Sequence, residues 1–329
     1  MNTVSYQGPL AEYMEGLLQH KRALGFHYDT PARTLRHFDQ FCITSHWTRP
    51  SLDESLVEGW NQKRPHEAHA TWKGRIQVVR QLALYMARLG LPAYVTPVGR
   101  LPKGPRYVPH IFSAAELRAF FCQVDACAYC PEVPYRHLTM PLLFRLLYGC
   151  GLRVSEILHL RIADVDPDAG VLTIRDTKFH KDRLVPVTEG LQERLLRYFQ
   201  QVHRFSGTNE CVFWLADHHP LSVGNVYKNF RRFLWHAGIS HGGWGKGPRV
   251  HDFRHTFAVH CLKGWVRDSK DLAAYLPLLK TYLGHYSFQD SAYYLRLTAD
   301  LYPDITVRVE QSVGYVVPDI EGGSSDETD

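Results

Sequence analysis

The sequence predicts a mainly α-helical protein with one small antiparallel β element. Three observations carry this. Apolar residues recur at helical spacing through the first 90 residues, with no alternating stretch between them. Further helical patterns fill the chain after residue 113. Two short runs, Val171-Leu-Thr-Ile-Arg175 and Arg183-Leu-Val-Pro-Val187, flank the polar stretch Asp176 to Asp182 and read as a β-hairpin with a basic tip.

Each element follows from local chemistry. Leu10, Met14, Leu17, Leu18 and Leu24 share a face of the first helix, which Gly25 ends. The second is predicted to start at Thr30 as N-cap with Pro31 as its first residue, placing Leu35, Phe38 and Phe41 on one face. Ser51-Leu-Asp-Glu54 has capping-box spacing and opens the third. The fourth carries Trp72, Ile76, Val79, Ala83 and Met86, and ends at Gly90. These helices make a first domain over residues 1–98. Pro92, Pro97, Pro102, Pro105 and Pro109 forbid a regular helix and predict an extended linker, residues 99–112, made basic by Arg100, Lys103 and Arg106. A second domain, 113–318, opens at the capping box Ser113-Ala-Ala-Glu116. Its helices are expected near 113–124, 137–149, 154–160, 189–203, 222–237, 251–264, 271–283 and 288–298. Residues 319–329 read as a disordered acidic tail.

Composition narrows the function classes. The 329 residues are 45% apolar and 22% charged, which suits a soluble chain of about two domains. No export signal and no membrane-spanning apolar run is visible. Seven cysteines without small-domain spacing point to a reducing, cytoplasmic setting. The formal charge is +5, but the tail holds five acids and no base, so residues 1–318 set 38 Lys and Arg against 28 Asp and Glu. That surplus admits a polyanionic partner without requiring one.

Four segments carry chemistry: Gly151-Leu-Arg-Val-Ser-Glu156, the hairpin with Lys178, His251-Asp-Phe-Arg254, and Leu283-Gly-His285 with Tyr294 nine residues further on. Together and in this order they resemble the tyrosine recombinase (phage integrase) family, across both domains. The longer segment between Arg254 and His285, with Trp265 to Pro277 as an insertion, is similar to recombinases carried on transposons. The resemblance implies a SAM-like helical core-binding domain followed by an α+β catalytic domain. It implies a site-specific recombinase that cuts and rejoins DNA through a covalent 3'-phosphotyrosine, with no ATP, cofactor or metal.

The residue types suit that reaction. A phosphate under attack gains charge on its non-bridging oxygens, and guanidiniums answer it with paired hydrogen bonds. The resemblance selects Arg153 and Arg254 for this, with Glu156 three residues on to orient Arg153. His251, at i and i+3 with Arg254, would take the nucleophile's proton or donate to phosphate, supported by His255. Gly284 is expected in the left-handed conformation at a helix end, freeing His285 to reach a phosphate oxygen. Tyr294 is the nucleophile, two turns into a helix opened by Ser287-Phe-Gln-Asp290, and the adjacent Tyr293 is a packing residue. Lys178 would protonate the leaving 5' oxygen, although Phe179 and His180 stand where family hairpins often have glycines. Lys181 and the linker residues Arg100, Lys103 and Arg106 are expected to contact DNA backbone.

The implied partner is double-stranded DNA with a specific recombination site. The implied assembly is a homo-oligomer, a tetramer in the synaptic complex, with residues 299–318 docking in a neighbouring protomer. Rival readings are a type IB topoisomerase-like enzyme, a catalytically idle DNA-binding accessory protein and a metal-dependent nuclease. Cys122, Cys127, Cys130 and His137 mimic zinc spacing, but no second clean pair follows, so free thiols are expected.

Overall fold

The computed structural model describes residues 5–104, 107–175, 182–204, 206–208, 210–214, 220–243, 247–285, 291 and 293–297. They form two compact units divided between Tyr107 and Val108. That boundary falls inside the proline-marked stretch.

The first unit holds helices α1 (Ala11–Ala23), α2 (Asp29–Thr44), α3 (Glu54–Asn61) and α4 (His69–Arg88). Their apolar faces meet in a core of Leu10, Met14, Leu35, Phe38, Trp60 and Met86. After α4 the chain turns back, and Tyr94 N donates to Leu52 O at 2.7 Å. Two predicted helix starts are corrected. Helix α2 begins at Asp29, after Tyr28 turns the chain at φ 56°, so Thr30 and Pro31 lie inside its first turn. Proline is tolerated there because first-turn N–H groups have no helical partner. Helix α3 has Asp53, not Ser51, at its N-cap position, and that side chain makes no capping bond. Ser51 instead donates to Asp53 at 2.9 Å, and Glu54 pairs with Arg100 at 3.1 Å.

The second unit holds α5 (Ala114–Asp125), α6 (Arg136–Gly149), α7 (Val154–Leu158), β1 (Val165–Asp166), β2 (Val171–Ile174) and β3 (Arg183–Pro186). It continues with α8 (Glu189–Val202), α9 (Val223–His236), α10 (Asp252–Arg267), α11 (Leu272–Leu283) and a 3-10 turn, Tyr293–Leu297. The predicted hairpin is present as antiparallel β2 and β3, with Leu172 opposite Val185. Strand β1 adds a third, antiparallel to β2. Two residues are too few to show alternation, so β1 left no pattern to read. The capping box at Ser113 forms, with both Ser113–Glu116 bonds made at 2.8 and 3.2 Å.

The predicted last helix is also corrected. Residues 286–290 and 292 lie outside the described residues, and Tyr294 stands in the 3-10 turn instead of two turns into an α-helix. At three residues per turn, Tyr293 and Tyr294 point about 120° apart, so they still face different ways.

Buried rings fix the site's main helix. Phe253 is fully buried against Phe112, Phe120 and Phe230, with centroids at 4.9, 5.2 and 5.5 Å. Its chain neighbour Arg254 is therefore anchored at the start of α10 by the main core of the second unit. A smaller core joins Val259 and Leu262 of α10 to Leu276, Leu279 and Leu283 of α11 and reaches Tyr294. Among the described residues, no helix is long and apolar enough to cross a membrane.

Candidate active site

The site is built around the C-terminal end of α11. Gly284 adopts φ 65° and ψ 47°, the left-handed cap that the sequence predicts. A helix end leaves its last carbonyls without helical partners and carries a partial negative charge. Here three successive carbonyls each accept from a different arginine. Arg183 Nε donates to Tyr282 O at 2.8 Å, Arg254 Nη2 to Leu283 O, and Arg153 Nη2 to Gly284 O at 3.2 Å. His285 emerges from this turn and makes a 2.8 Å hydrogen bond from Nδ1 to the Ser291 hydroxyl.

Arg153 precedes α7 and is oriented by its own helix. Glu156 accepts the Arg153 backbone N–H at 2.9 Å and its Nη1 at 2.6 Å. The second Arg153 Nη binds Gly284 O, and the side chain remains about a quarter exposed. Arg254 is 1% exposed and also donates to Gly151 O at 2.8 Å. Gly151 has φ 58°, and a Cβ there would lie 2.7 Å from Phe257 and 2.9 Å from Leu283. Only glycine lets the chain pass this point and present both its carbonyl to Arg254 and Arg153 two residues later.

Tyr294 is 3% exposed and lies between two imidazoles. The His285 ring stacks on it at 5.8 Å, and the His255 ring is tilted at 5.6 Å. His251 caps the start of α10 and meets His255 edge-on at 4.9 Å. The sequence gives His251 the leading proton role and His255 a supporting one, yet His255 is the ring that reaches the tyrosine. His255 Nδ1 is buried with no hydrogen-bond partner among the described residues.

Electrostatics set the protonation states. Burial, then the charges of Arg254 and Arg153, push His285 down to about 3. Burial, then His255 and Arg254, push His251 down to about 4. Burial also lowers His255. All three are therefore neutral at pH 7. Burial and the neighbouring Arg153 lower Arg254 to about 10, which leaves it a cation. Burial alone would raise Glu156, but Arg183 and then Arg153 hold it at about 2, a permanent anion.

The expected residues Arg153, Glu156, His251, Arg254, His255, His285 and Tyr294 are thus brought together. Lys178, Lys181 and Arg106 lie outside the described residues. Lys103 is exposed. Arg100 is shared between Glu54 at 3.1 Å and Glu58 at 3.6 Å, so a phosphate would have to compete for it.

Sequence reasoning missed two features. One is Arg183, whose signal was an inverted strand: Leu184 is 66% exposed while Arg183 and Val185 face inward. Charge on the buried face of a strand demands a partner. The other is a groove of about 460 Å³ where Arg136, Lys228 and Arg232 line one surface with Asn225 and Asn229. Its cations lie on two helices far apart in sequence, which hides the cluster. Among the described residues, no group of three His, Cys, Asp or Glu side chains is placed to hold a metal ion.

Comparison with known proteins bears on the same residues. Residues 124–300 match the model of the phage integrase family. The integrase/recombinase y4rB of Sinorhizobium fredii is 30% identical over 318 residues, covering 93% of this chain and 98% of that protein. The integrase/recombinase y4rE from the same organism is 35% identical over 301 residues, covering 89% and 93%. In fold, the chain is similar to the XerH site-specific recombinase, with TM-score 0.63 and 20% identity over 87% of this chain and 78% of that one. It is similar also to the Tn1549 transposon integrase, with TM-score 0.64 and 13% identity over 88% and 94%. With a matched domain spanning Arg153 to Tyr294 and relatives aligned along nearly the whole length, the chain belongs to the phage integrase family of tyrosine recombinases, enzymes that cleave and rejoin DNA strands.

Proposed function

We propose that this chain is a site-specific recombinase that breaks and rejoins duplex DNA through a covalent 3'-phosphotyrosine at Tyr294. The observation that carries the reading is that Arg153, Arg254 and His251 gather around the His255 and His285 rings that flank Tyr294. Of the solved structures similar in fold, XerH is bound to a palindromic difH substrate and the Tn1549 integrase to transposon right end DNA, which supports a DNA partner.

The chemistry follows from the side chains. Tyr294 Oη attacks phosphorus, the P–O5' bond breaks, and the phenol proton passes to a neutral imidazole, His251 directly or through His255. Lys178 on the hairpin supplies the proton that the leaving 5' oxygen needs. Arg153 and Arg254 meet the charge that develops on the non-bridging oxygens, and His285 donates to one of them. The phosphodiester energy is kept in the tyrosyl ester, so a 5' hydroxyl can reverse the step without ATP. Because Tyr294 is buried at 3% exposure, attack requires its 3-10 turn to shift toward the bound phosphate.

The basic groove of Arg136, Lys228 and Arg232 is assigned to the DNA backbone along with Lys103, Arg106 and Lys181. Strand exchange needs two duplexes, so the working assembly is a tetramer of this chain on paired sites, with residues 299–318 bridging protomers.

The test is covalent capture from a pool of nicked duplexes of randomised sequence, read as an SDS-stable protein–DNA band. We expect capture by the native chain and by Tyr293→Phe, unaffected by EDTA, and none by Tyr294→Phe. The captured site, placed twice on a plasmid, should yield recombinant products. Relaxation alone would point to topoisomerase action, and cleavage without a covalent band, abolished by EDTA, to a metal-dependent nuclease.

A further inference from the structure

Arg183 opens β3, at the base of the hairpin that carries Lys178, and its side chain is only 8% exposed. That burial leaves little of it to offer a phosphate. Its guanidinium nevertheless touches two parts of the site. Nη1 and Nη2 donate to the two oxygens of Glu156 at 3.0 and 2.8 Å, while Nε donates to Tyr282 O at 2.8 Å. Any side chain at Gly284 would press on it, since a Cβ there would lie 3.1 Å from Arg183 Nη1.

The balance of charge around Glu156 gives this contact its meaning. Each carboxylate oxygen accepts two hydrogen bonds, one from Arg153 and one from Arg183. Were Arg183 absent, the buried carboxylate would be matched by Arg153 alone. That pair would sum to zero, and Arg153 would meet a phosphate with its charge already answered. With Arg183 present, Glu156 can aim Arg153 without cancelling it, and the three side chains together keep one positive charge for the substrate. The Nε bond meanwhile ties β3 to the turn that presents His285.

We propose that Arg183 is a positioning residue for strand cleavage: it offsets the charge of Glu156 so that Arg153 stays electrostatically free for the scissile phosphate, and it pins the hairpin to the Tyr282–His285 turn. The proposal rests on the recombinase reading for its reaction, but its central element is a charge balance that can be measured without turnover.

The experiment compares Arg183→Met, which removes the charge, with Arg183→Lys, which keeps the charge and loses the planar fork. Both are checked for native melting and DNA affinity. Single-turnover adduct formation is measured on a captured nicked duplex and on the same duplex with a neutral methylphosphonate at the scissile position. On the phosphodiester we expect Arg183→Met to lose on the order of 10²-fold and Arg183→Lys about tenfold, comparable to loss of one transition-state donor. On the methylphosphonate, where no extra anion needs answering, the Arg183→Met loss should shrink to within about fivefold of native, because the missing interaction is Coulombic. Equal losses on both linkages, or a native rate on the phosphodiester, would overturn the proposal. If Arg183→Met does not fold, the neutral Arg183→Gln takes its place in the same comparison of the two linkages. A second arm needs no cleavage: binding of inorganic phosphate to the free protein, followed by the His285 ring proton signals in NMR. Weaker phosphate binding in the Arg183 variant supports the charge balance, and equal binding refutes it. Absence of any adduct from the native chain would instead count against the recombinase reading and leave this second arm to decide Arg183.

Discussion

Tyr294 is held between imidazoles that burial and nearby guanidiniums keep uncharged at neutral pH. Stability depends on pH as a result. An unfolded histidine titrates near 6.5, whereas folded His251 and His285 titrate near 4 and 3. Below about pH 6.5 the unfolded chain binds protons that the folded site refuses, so stability is fully present above that pH and is lost as pH falls toward the folded values. Melting temperature should therefore drop between pH 6.5 and 4. The drop should be shallower in His285→Gln, and an identical slope in that variant would count against the assignment. At this scale the sequence was informative wherever a residue sat inside a spaced motif, as with Arg153, Arg254 and Tyr294. It was silent on Arg183, because an arginine on a strand does not announce which carboxylate it meets. It named both His251 and His255, but spacing says nothing of which ring leans on the tyrosine.

At the scale of elements, the site depends on two left-handed turns, at Gly151 and Gly284, and at Gly151 there is no room for a side chain. Gly151→Ala should destabilise the protein by about 1–2 kcal/mol from the left-handed backbone alone. The contacts with Phe257 and Leu283 should add to that loss. Urea denaturation measures it, and a change within experimental error would show that the turn is looser than its contacts imply. Helix positions were legible because apolar periodicity persists over many residues, as in α4 and α8. Helix starts were less so: Pro31 fits several first-turn positions, and the choice was made by Tyr28 turning left-handed before it. The 3-10 turn bearing Tyr294 was read as α-helix because both present the same short apolar pattern. Strand β1 was invisible for want of length.

For the whole molecule, bulk charge only admitted DNA as a partner. The surplus over residues 1–318 does not say which cations are available, and the structure divides them. Arg100 is exposed and pairs with Glu54 and Glu58, while Lys228 and Arg232 line a groove with Arg136. The double variant Lys228→Ala and Arg232→Ala should weaken DNA binding evenly across sequences and flatten the salt dependence, by about 0.9 in log–log slope for each phosphate left unneutralised. An unchanged slope would remove this groove from the DNA surface. The division into units near residue 107 falls within the stretch marked by five prolines, which bar a continuous helix across the junction. Under the proposed mechanism, this architecture serves one phenol. Peptide mapping by mass spectrometry of the covalent protein–DNA adduct puts that to the sharpest test. We expect a nucleotide linked through its 3' phosphate to Tyr294. Linkage at Tyr293 or any other side chain, or an adduct that persists in Tyr294→Phe, would contradict it.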